Sequence, residues 1–291
     1  MSRKENAIIL AAGFSSRFAP LSYEKPKALL EVKGEVLIER QIRQLIEAGI
    51  QDITLVVGYK KEMFQYLEKK FQVQIVENRE YAVKNNLSSM YAVKDRLRDT
   101  YICSADNYFT SNVFCEEPME AYYSAEYAKG STEEWCMEED GDGFISGVTI
   151  GGSDAWYMIG HAFFTEDFSK RFIPILEETY AMPGSETMLW EHMYLKHLQK
   201  LKMKIKKFPQ GIIKEFDSLS ELKDFDKSYA LDSRSSILKD ISRRLLCEEA
   251  EIDVISPVSV QGMAHGFIFK ANEKKYEYSY ENHEIRGVDN E

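Results

Sequence analysis

Residues 10–34 read LAAGFSSRFAPLSYEKPKALLEVKG and follow directly on the apolar run Ala7 to Leu10. A short continuous apolar run suits a strand buried on both faces of a parallel sheet. The glycine just after it lets the backbone pass close to a ligand, and successive N–H groups in such a loop form an anion nest. Gly13, Ser15 and Ser16 are the candidate donors; Arg17 offers a planar fork for phosphate oxygens, and Lys25 and Lys27 add point charges. The spacing matches neither GxGxxG nor GxxxxGK followed by Ser or Thr, so it predicts neither a dinucleotide site nor a P-loop. Taken singly, each residue reads better as an ordinary turn glycine or a solvated cation. Together, at the carboxyl end of a strand, they point to a phosphate-handling loop.

Outward from this loop the chain alternates. Leu37, Ile38, Ile42, Leu45 and Ile46 recur at helical spacing, and Gly49 closes that helix. Ile53 to Val57 reads as a strand, Met63 to Phe71 as a short helix, Val73 to Val76 as a strand, Ser88 to Leu97 as a helix and Thr100 to Ser104 as a fourth strand. Such alternation predicts an α/β fold with a doubly wound, mostly parallel sheet of Rossmann-like type. Ligands then lie beyond the carboxyl ends of strands, here the loop after Leu10 and the segment Ala105-Asp106-Asn107. The stretch from Phe114 to Ile159, with the turn Asp140-Gly-Asp-Gly143, reads as strands and loops around an acceptor pocket. Phe163 to Tyr180 and Ser185 to Leu201 read as helices, and Met203 to Phe208 as a strand. A composition shift near Asp232 divides a main domain, residues 1–231, from a small α+β appendage, residues 232–291. In that appendage Ile237, Leu238, Ile241, Leu245 and Leu246 share one helical face, alternating strands follow, and Asn272 to Lys275 is a hairpin turn.

Composition bounds the function. With 44% hydrophobic and 29% charged residues in 291, the chain is an ordinary globular protein. A formal charge of −11 argues against a nucleic-acid partner, which requires a net basic surface. An anionic small molecule must therefore be met by local Lys and Arg. Cys103, Cys115, Cys136 and Cys247 lack zinc-ligand spacing and are expected to be reduced core thiols. Neither a signal peptide nor a membrane span is legible, so no membrane partner and a cytoplasmic location are expected. His192 and His197 lie five apart, unlike a helical zinc pair, and read as surface or packing residues.

The loop resembles the signature of the sugar-phosphate and choline-phosphate nucleotidyltransferases. Residues 20–45, PLSYEKPKALLEVKGEVLIERQIRQL, are similar to bacterial CTP:phosphocholine cytidylyltransferases. Asn85-Asn-Leu-Ser-Ser-Met-Tyr91 resembles the NNxxSMY segment of that family, and Ala105-Asp-Asn-Tyr108 its ADNY. Glu134-Trp135 resembles EW, Trp190-Glu191 resembles WD, and Glu215-Phe-Asp217-Ser resembles EIDS; the likeness runs over residues 6–230. It implies that Arg17 and Lys27, assisted by Lys25, contact the triphosphate of CTP and stabilise charge on the α-phosphate. It implies Mg2+ held by Asp106 and Asp217; by its own sequence Asp217 is equally an N-cap of the helix from Leu219. The family often reads DADNY where this chain has Ser104-Ala-Asp-Asn-Tyr, so one acid is missing; if that acid assists the metal, affinity is weaker here. Glu191 replaces the family's Asp and moves the carboxylate by one methylene.

Base reading falls to backbone groups of Leu10, Ala11 and Ala12 and to Asn85, Ser88 or Ser89, although Asn86 or Ser88 equally suits a helix cap. For the acceptor, a quaternary ammonium is held by aromatic faces. Trp135 and Trp190 match family aromatics, with Trp156, Tyr157 and Tyr180 as possible neighbours and Glu133, Glu134 and Glu191 as counter-charges. Most aromatics in any chain fill cores. The implied reaction is CMP transfer from CTP to phosphocholine, giving CDP-choline and pyrophosphate. Sugar-1-phosphate, phosphoethanolamine and aminoalkylphosphonate acceptors are rivals, as is a nucleotide-binding scaffold with weakened catalysis. Gly262-Met-Ala-His-Gly-Phe-Ile-Phe-Lys270 weakly resembles the opening of a choline kinase N-lobe, without a catalytic loop after it. The appendage is thus expected to be non-catalytic, and to pack on the main domain or pair subunits as a homodimer.

Overall fold

The computed structural model describes residues 4–260 and 263–288. In chain order the strands are β1 (Asn6–Ala11), β2 (Glu31–Val32), β3 (Glu35–Val36), β4 (Asp52–Val57), β5 (Gln74–Glu77), β6 (Thr100–Ser104), β7 (Asn107–Phe109), β8 (Tyr122–Glu139), β9 (Ile145–Phe164), β10 (Lys204–Lys207), β11 (Ile213–Glu215), β12 (Asp253–Val260), β13 (Met263–Ala271), β14 (Lys274–Ser279) and β15 (Ile285–Gly287). The helices are α1 (Leu21–Glu24), α2 (Leu37–Glu47), α3 (Tyr66–Phe71), α4 (Asn86–Ala92), α5 (Glu166–Tyr180), α6 (Trp190–Leu195), α7 (Leu219–Phe225), α8 (Ser228–Leu231) and α9 (Ser236–Leu245). They form two compact units, one of residues 1–13 and 38–215, the other of residues 14–37 and 216–291. The second unit thus joins the loop segment to the C-terminal residues, whereas the sequence places its boundary at Asp232.

The first unit is built on a seven-stranded sheet of order β10-β8-β9-β6-β1-β4-β5. β1 is parallel to β4 and β6, β4 to β5, and β8 to β10; only β9 runs antiparallel to its neighbours. This is the mostly parallel α/β fold that the apolar runs predict. Ile8, Val56 and Ile102 lie in the core beneath Phe168, Phe172 and Leu176 of α5. Those three sit one helical turn apart, and each is worth about 1.5–3 kcal/mol when fully buried. Thr165 starts α5 by accepting from Phe168 N at 3.2 Å, with Glu166 and Asp167 in the first turn to suit the helix dipole.

The Phe114 to Ile159 stretch is more regular than expected: β8 and β9 are 18 and 20 residues long. Asp140 turns them by accepting from Asp142 N and Phe144 N, and these backbone donors lower its pKa. Register shifts interrupt the pairing and re-aim side chains along it. The helix expected over Ser185 to Leu201 is only a 3-10 turn at Ser185–Thr187 and the six-residue α6. Leu189 is extended, and Trp190 N, the first donor of α6, is taken by Asn86 Oδ1 at 2.8 Å. A tertiary contact therefore sets this boundary.

In the second unit β12 to β15 form an antiparallel sheet with Phe267, Phe269, Tyr278 and Tyr280 buried. Asn272 and Glu273, both with positive φ, turn β13 into β14, at the hairpin expected there. Ile237, Leu238 and Ile241 of α9 are buried, but Leu246 is the left-handed C-cap and is 91% exposed, so it leaves the expected apolar face. Among the cysteines, all free, Cys103 and Cys136 are buried; Cys115 is exposed and Cys247 part-exposed, contrary to a core role for all four.

Candidate active site

The carboxyl ends of β1 and β6 meet in the first unit. Ala105 N donates to Leu10 O at 3.1 Å and Tyr59 N to Ala12 O at 3.1 Å, so two of the carbonyls expected to read a base already accept one bond each. A carbonyl retains a second lone pair. Gly13 is exposed, and a Cβ added there meets no protein atom within 4 Å. Asp106 follows β6 in the turn into β7.

Asn107 pairs with Glu215 across β7 and β11, and its Nδ2 donates to Glu215 Oε2 at 3.3 Å. Gly160 lets β11 come this close: it has φ +91°, and a Cβ there would meet Ile213 at 2.9 Å. Glu215 was not singled out from the sequence, although it belongs to the segment Glu215-Phe-Asp217-Ser. Its strand pairing with Asn107 is what brings it to the site.

Tyr123 Oη donates to Glu191 Oε1 at 3.5 Å. Burial first, then the carboxylates of Glu191, Glu215 and Asp106, hold its phenol well above the usual range. Burial raises the Glu191 carboxyl to about 7, opposed by hydrogen bonds from Asn86 and Tyr123. Asn86 Nδ2 donates to Glu191 Oε2 at 3.1 Å, while its Oδ1 holds Trp190 N. Asn86 thus fixes both residues of the Trp190-Glu191 pair. Tyr157 is raised to about 12 by burial and by Glu126, Glu134 and Glu215.

The aromatics divide. Trp190 is 2% exposed; its ring stacks on Tyr123 at 5.8 Å and packs against Phe164 and Phe172, so it backs Tyr123 as a core residue. Trp135 is part-exposed, 5.1 Å from the ring of His192, whose Nδ1 accepts from Leu189 N. Trp156 and Tyr180 already carry cations, Lys207 Nζ at 5.4 Å and Lys84 Nζ at 3.7 Å from their ring centres. Ser88 and Ser89 are buried and accept from Asn78 Nδ2 at 2.8 and 3.0 Å, which ties the start of α4 to the end of β5. Asn85 is the N-cap and is exposed.

In the second unit Ser15 is left-handed, at φ 54° and ψ 52°, and leads into a 3-10 turn at Ser16–Phe18. A left-handed residue before a right-handed turn aims successive N–H groups to one side. Lys27 is 6% exposed, with Nζ 4.9 Å over the ring of Phe18; Lys25 is exposed. Arg17 Nη2 pairs with Asp217 Oδ1 at 2.9 Å. The cap role open to Asp217 falls on Ser218, whose Oγ accepts from Glu221 N at 3.2 Å. A cavity of about 290 Å3 opens beside this pair, between Arg17, α7 and the start of β12.

The metal expectation has a partial basis. Among the described residues no group of three or more His, Cys, Asp or Glu side chains is placed to hold an ion. Magnesium uses one or two carboxylates plus phosphate oxygens and water, and Asp106 with Glu215 is a donor set of that hard-oxygen kind. Asp217 belongs to the other unit, where Arg17 is its partner. No described helix is long and apolar enough to cross a membrane.

Comparison with known proteins places these features. Residues 7–191 match the MobA-like NTP transferase domain family. The chain is 38% identical over 238 residues to 2-aminoethylphosphonate cytidylyltransferase of Lancefieldella rimae, covering 80% of this chain and 97% of that one. It is 32% identical over 221 residues to choline-phosphate cytidylyltransferase of Streptococcus pneumoniae, covering 76% and 96%. A solved structure of the CTP:phosphocholine cytidylyltransferase from Streptococcus pneumoniae superposes with a TM-score of 0.74 at 31% identity, over 78% of this chain and 99% of that one.

Proposed function

The chain belongs to the MobA-like NTP transferase domain family, among the cytidylyltransferases, and from that premise we propose that it transfers CMP from CTP to phosphocholine, releasing pyrophosphate and forming CDP-choline. The observation that carries the acceptor class is the Tyr123 ring, stacked on Trp190 with its hydroxyl donating to Glu191 Oε1 at 3.5 Å, and the carboxylates of Glu191, Glu215 and Asp106 that act on its phenol. Such a wall suits an acceptor with a cationic nitrogen, which both carboxylates and ring faces attract. A sugar meets the same wall only through hydroxyl hydrogen bonds and ring contacts, without the charge attraction.

In this reading an ionised phosphate oxygen of the acceptor attacks the α-phosphorus of CTP in line. The new P–O bond forms as the bond from the α-phosphorus to the bridging oxygen breaks, and pyrophosphate leaves with the electron pair. Because the nucleophile is already ionised, no strong general base is required, and catalysis rests on positioning and charge. The Ser15 turn and the Arg17 and Lys27 cations take the triphosphate. The Arg17–Asp217 pair, with side chains 71% and 46% exposed, is worth about 0–1 kcal/mol, so phosphate displaces Asp217 at small cost. Mg2+, held by Asp106 with Glu215 or Asp217, would neutralise charge on the phosphates. Glu191 and Tyr123, backed by Trp190 and flanked by Trp135, orient the cationic end of the acceptor. The substrates are water-soluble, and the cytoplasm is the proposed place of action.

A second reading has its own support. A primary ammonium, as in 2-aminoethylphosphonate, makes hydrogen bonds that a quaternary one does not, and the carboxylates provide acceptors while Trp190 is covered. The relative at 38% identity carries that activity in its name. Pyrophosphate release from CTP with phosphocholine, 2-aminoethylphosphonate, phosphoethanolamine and glucose-1-phosphate separates these readings. Phosphocholine is expected to give the highest kcat/KM and glucose-1-phosphate the lowest. A preference for glucose-1-phosphate overturns the cationic acceptor, and no release with any acceptor overturns the enzyme.

A further inference from the structure

Residues 14–37 carry the phosphate-handling cations on elements too short to hold themselves. The segment contains 3-10 turns of three residues, the single-turn α1 and the two-residue strands β2 and β3, and isolated helical turns are marginal in water. Its order comes from the C-terminal residues of its own unit. Glu24 Oε1 accepts from Ser236 N at 2.7 Å, from Ile237 N at 3.3 Å and from the Ser236 hydroxyl, so Glu24 and Ser235 share the capping of α9. Tyr23 stacks flat on Tyr280, with ring centres 3.8 Å apart and planes 2° from parallel. Beyond Lys27, the Glu31 carbonyl accepts from Tyr229 Oη and Arg234 Nη1, both at 2.7 Å, and Lys33 N donates to Asp226 Oδ2 at 2.7 Å.

We propose that the C-terminal segment positions the triphosphate-handling loop, with Tyr23 and Glu24 as the positioning residues through which α9 and the β12–β15 sheet set Arg17 and Lys27. The two relatives described above match at most 80% of this chain while being almost fully matched themselves, so about a fifth of the chain lies outside the shared enzyme. The contacts of Tyr23 and Glu24 give α9 and the β12–β15 sheet a task in this reaction. Their place is telling, since they stand between Arg17 and Lys27 in the chain. Freed from α9 and Tyr280, the loop must be ordered by the nucleotide at each binding event, and that ordering costs affinity for the nucleotide alone. The proposal rests on the reading that Arg17 and Lys27 bind the triphosphate.

The test is CTP binding by titration calorimetry, together with KM for CTP and for phosphocholine, in Glu24→Ala, Glu24→Gln, Tyr280→Leu, Arg244→Ala and Lys27→Met. Glu24→Gln keeps an oxygen acceptor toward Ser236 and is expected to stay near wild type. Glu24→Ala and Tyr280→Leu are expected to weaken CTP binding about five- to tenfold, the size of one lost cap hydrogen bond, and to leave KM for the acceptor unchanged. Arg244→Ala loosens the C-terminal segment at Asp240 and at the His283 carbonyl without touching the loop. It is expected to lower Tm with no change in CTP binding. Wild-type CTP affinity in folded Glu24→Ala or Tyr280→Leu overturns the proposal, as does an equal loss in Arg244→Ala. Should Glu24→Ala fail to fold, Tyr280→Leu decides alone; should both fail, Tyr23→Leu, which removes the ring stack from the loop's side, decides by the same criterion. Lys27→Met separates the two readings: if it too leaves CTP binding intact, the assignment of the loop fails and not merely its bracing.

Discussion

Glu191 shows how a carboxylate at this site becomes responsive near neutral pH. Burial outweighs the hydrogen bonds from its own backbone N–H, Asn86 and Tyr123, and pushes the carboxyl up to about 7. The folded state therefore holds a proton that the unfolded state has lost between about 4.5 and 7, so this group's contribution to stability is largest below that window and declines as pH rises through it. Only the ionised form attracts a cationic nitrogen. KM for phosphocholine is thus expected to fall as pH rises through 7, and Glu191→Gln to remove that part of the dependence. The acceptor phosphate itself ionises with a pKa near about 6, so the readout is the difference between wild-type and variant profiles. Parallel profiles would show that Glu191 does not meet the cation. Motif matching pointed to Glu191 but said nothing of its protonation, because burial is a property of the packed site.

At the scale of elements, the alternation of apolar runs and helical faces made the sheet and its carboxyl edge legible. The lengths of β8 and β9 were not, because their register shifts break the two-residue alternation that marks a strand. Neither was β11, three residues long and held from the side by Glu126. That carboxylate is 2% exposed and accepts from Gly211 N at 2.9 Å and Ile213 N at 2.7 Å. Glu126→Ala strands the buried Ile213 N–H and the part-buried Gly211 N–H and is expected to cost about 2–4 kcal/mol in urea unfolding. It should also lower turnover, since β11 delivers Glu215. A stability loss under about 1 kcal/mol would mean that β11 is fixed by something else.

For the molecule as a whole, the sequence placed a boundary at Asp232, whereas residues 14–37 share a compact unit with residues 216–291. Contacts such as Ser236 with Glu24, 212 residues apart, leave no local pattern to read. Motifs alone singled out Arg17, Lys27, Asp106 and Glu191, the residues to which roles are proposed above. Ser88, Ser89 and Trp190 share those motifs and are buried, and burial is a property of the packed fold that a motif does not carry. The central claim is that the loop handles the triphosphate of CTP during transfer. Its most direct measurement is pyrophosphate release by Lys27→Met, which keeps an unbranched side chain at this buried position and removes the ammonium that lies over Phe18. A fall in turnover of about 100-fold or more, with Tm unchanged, is the predicted result; turnover close to wild type would contradict the account.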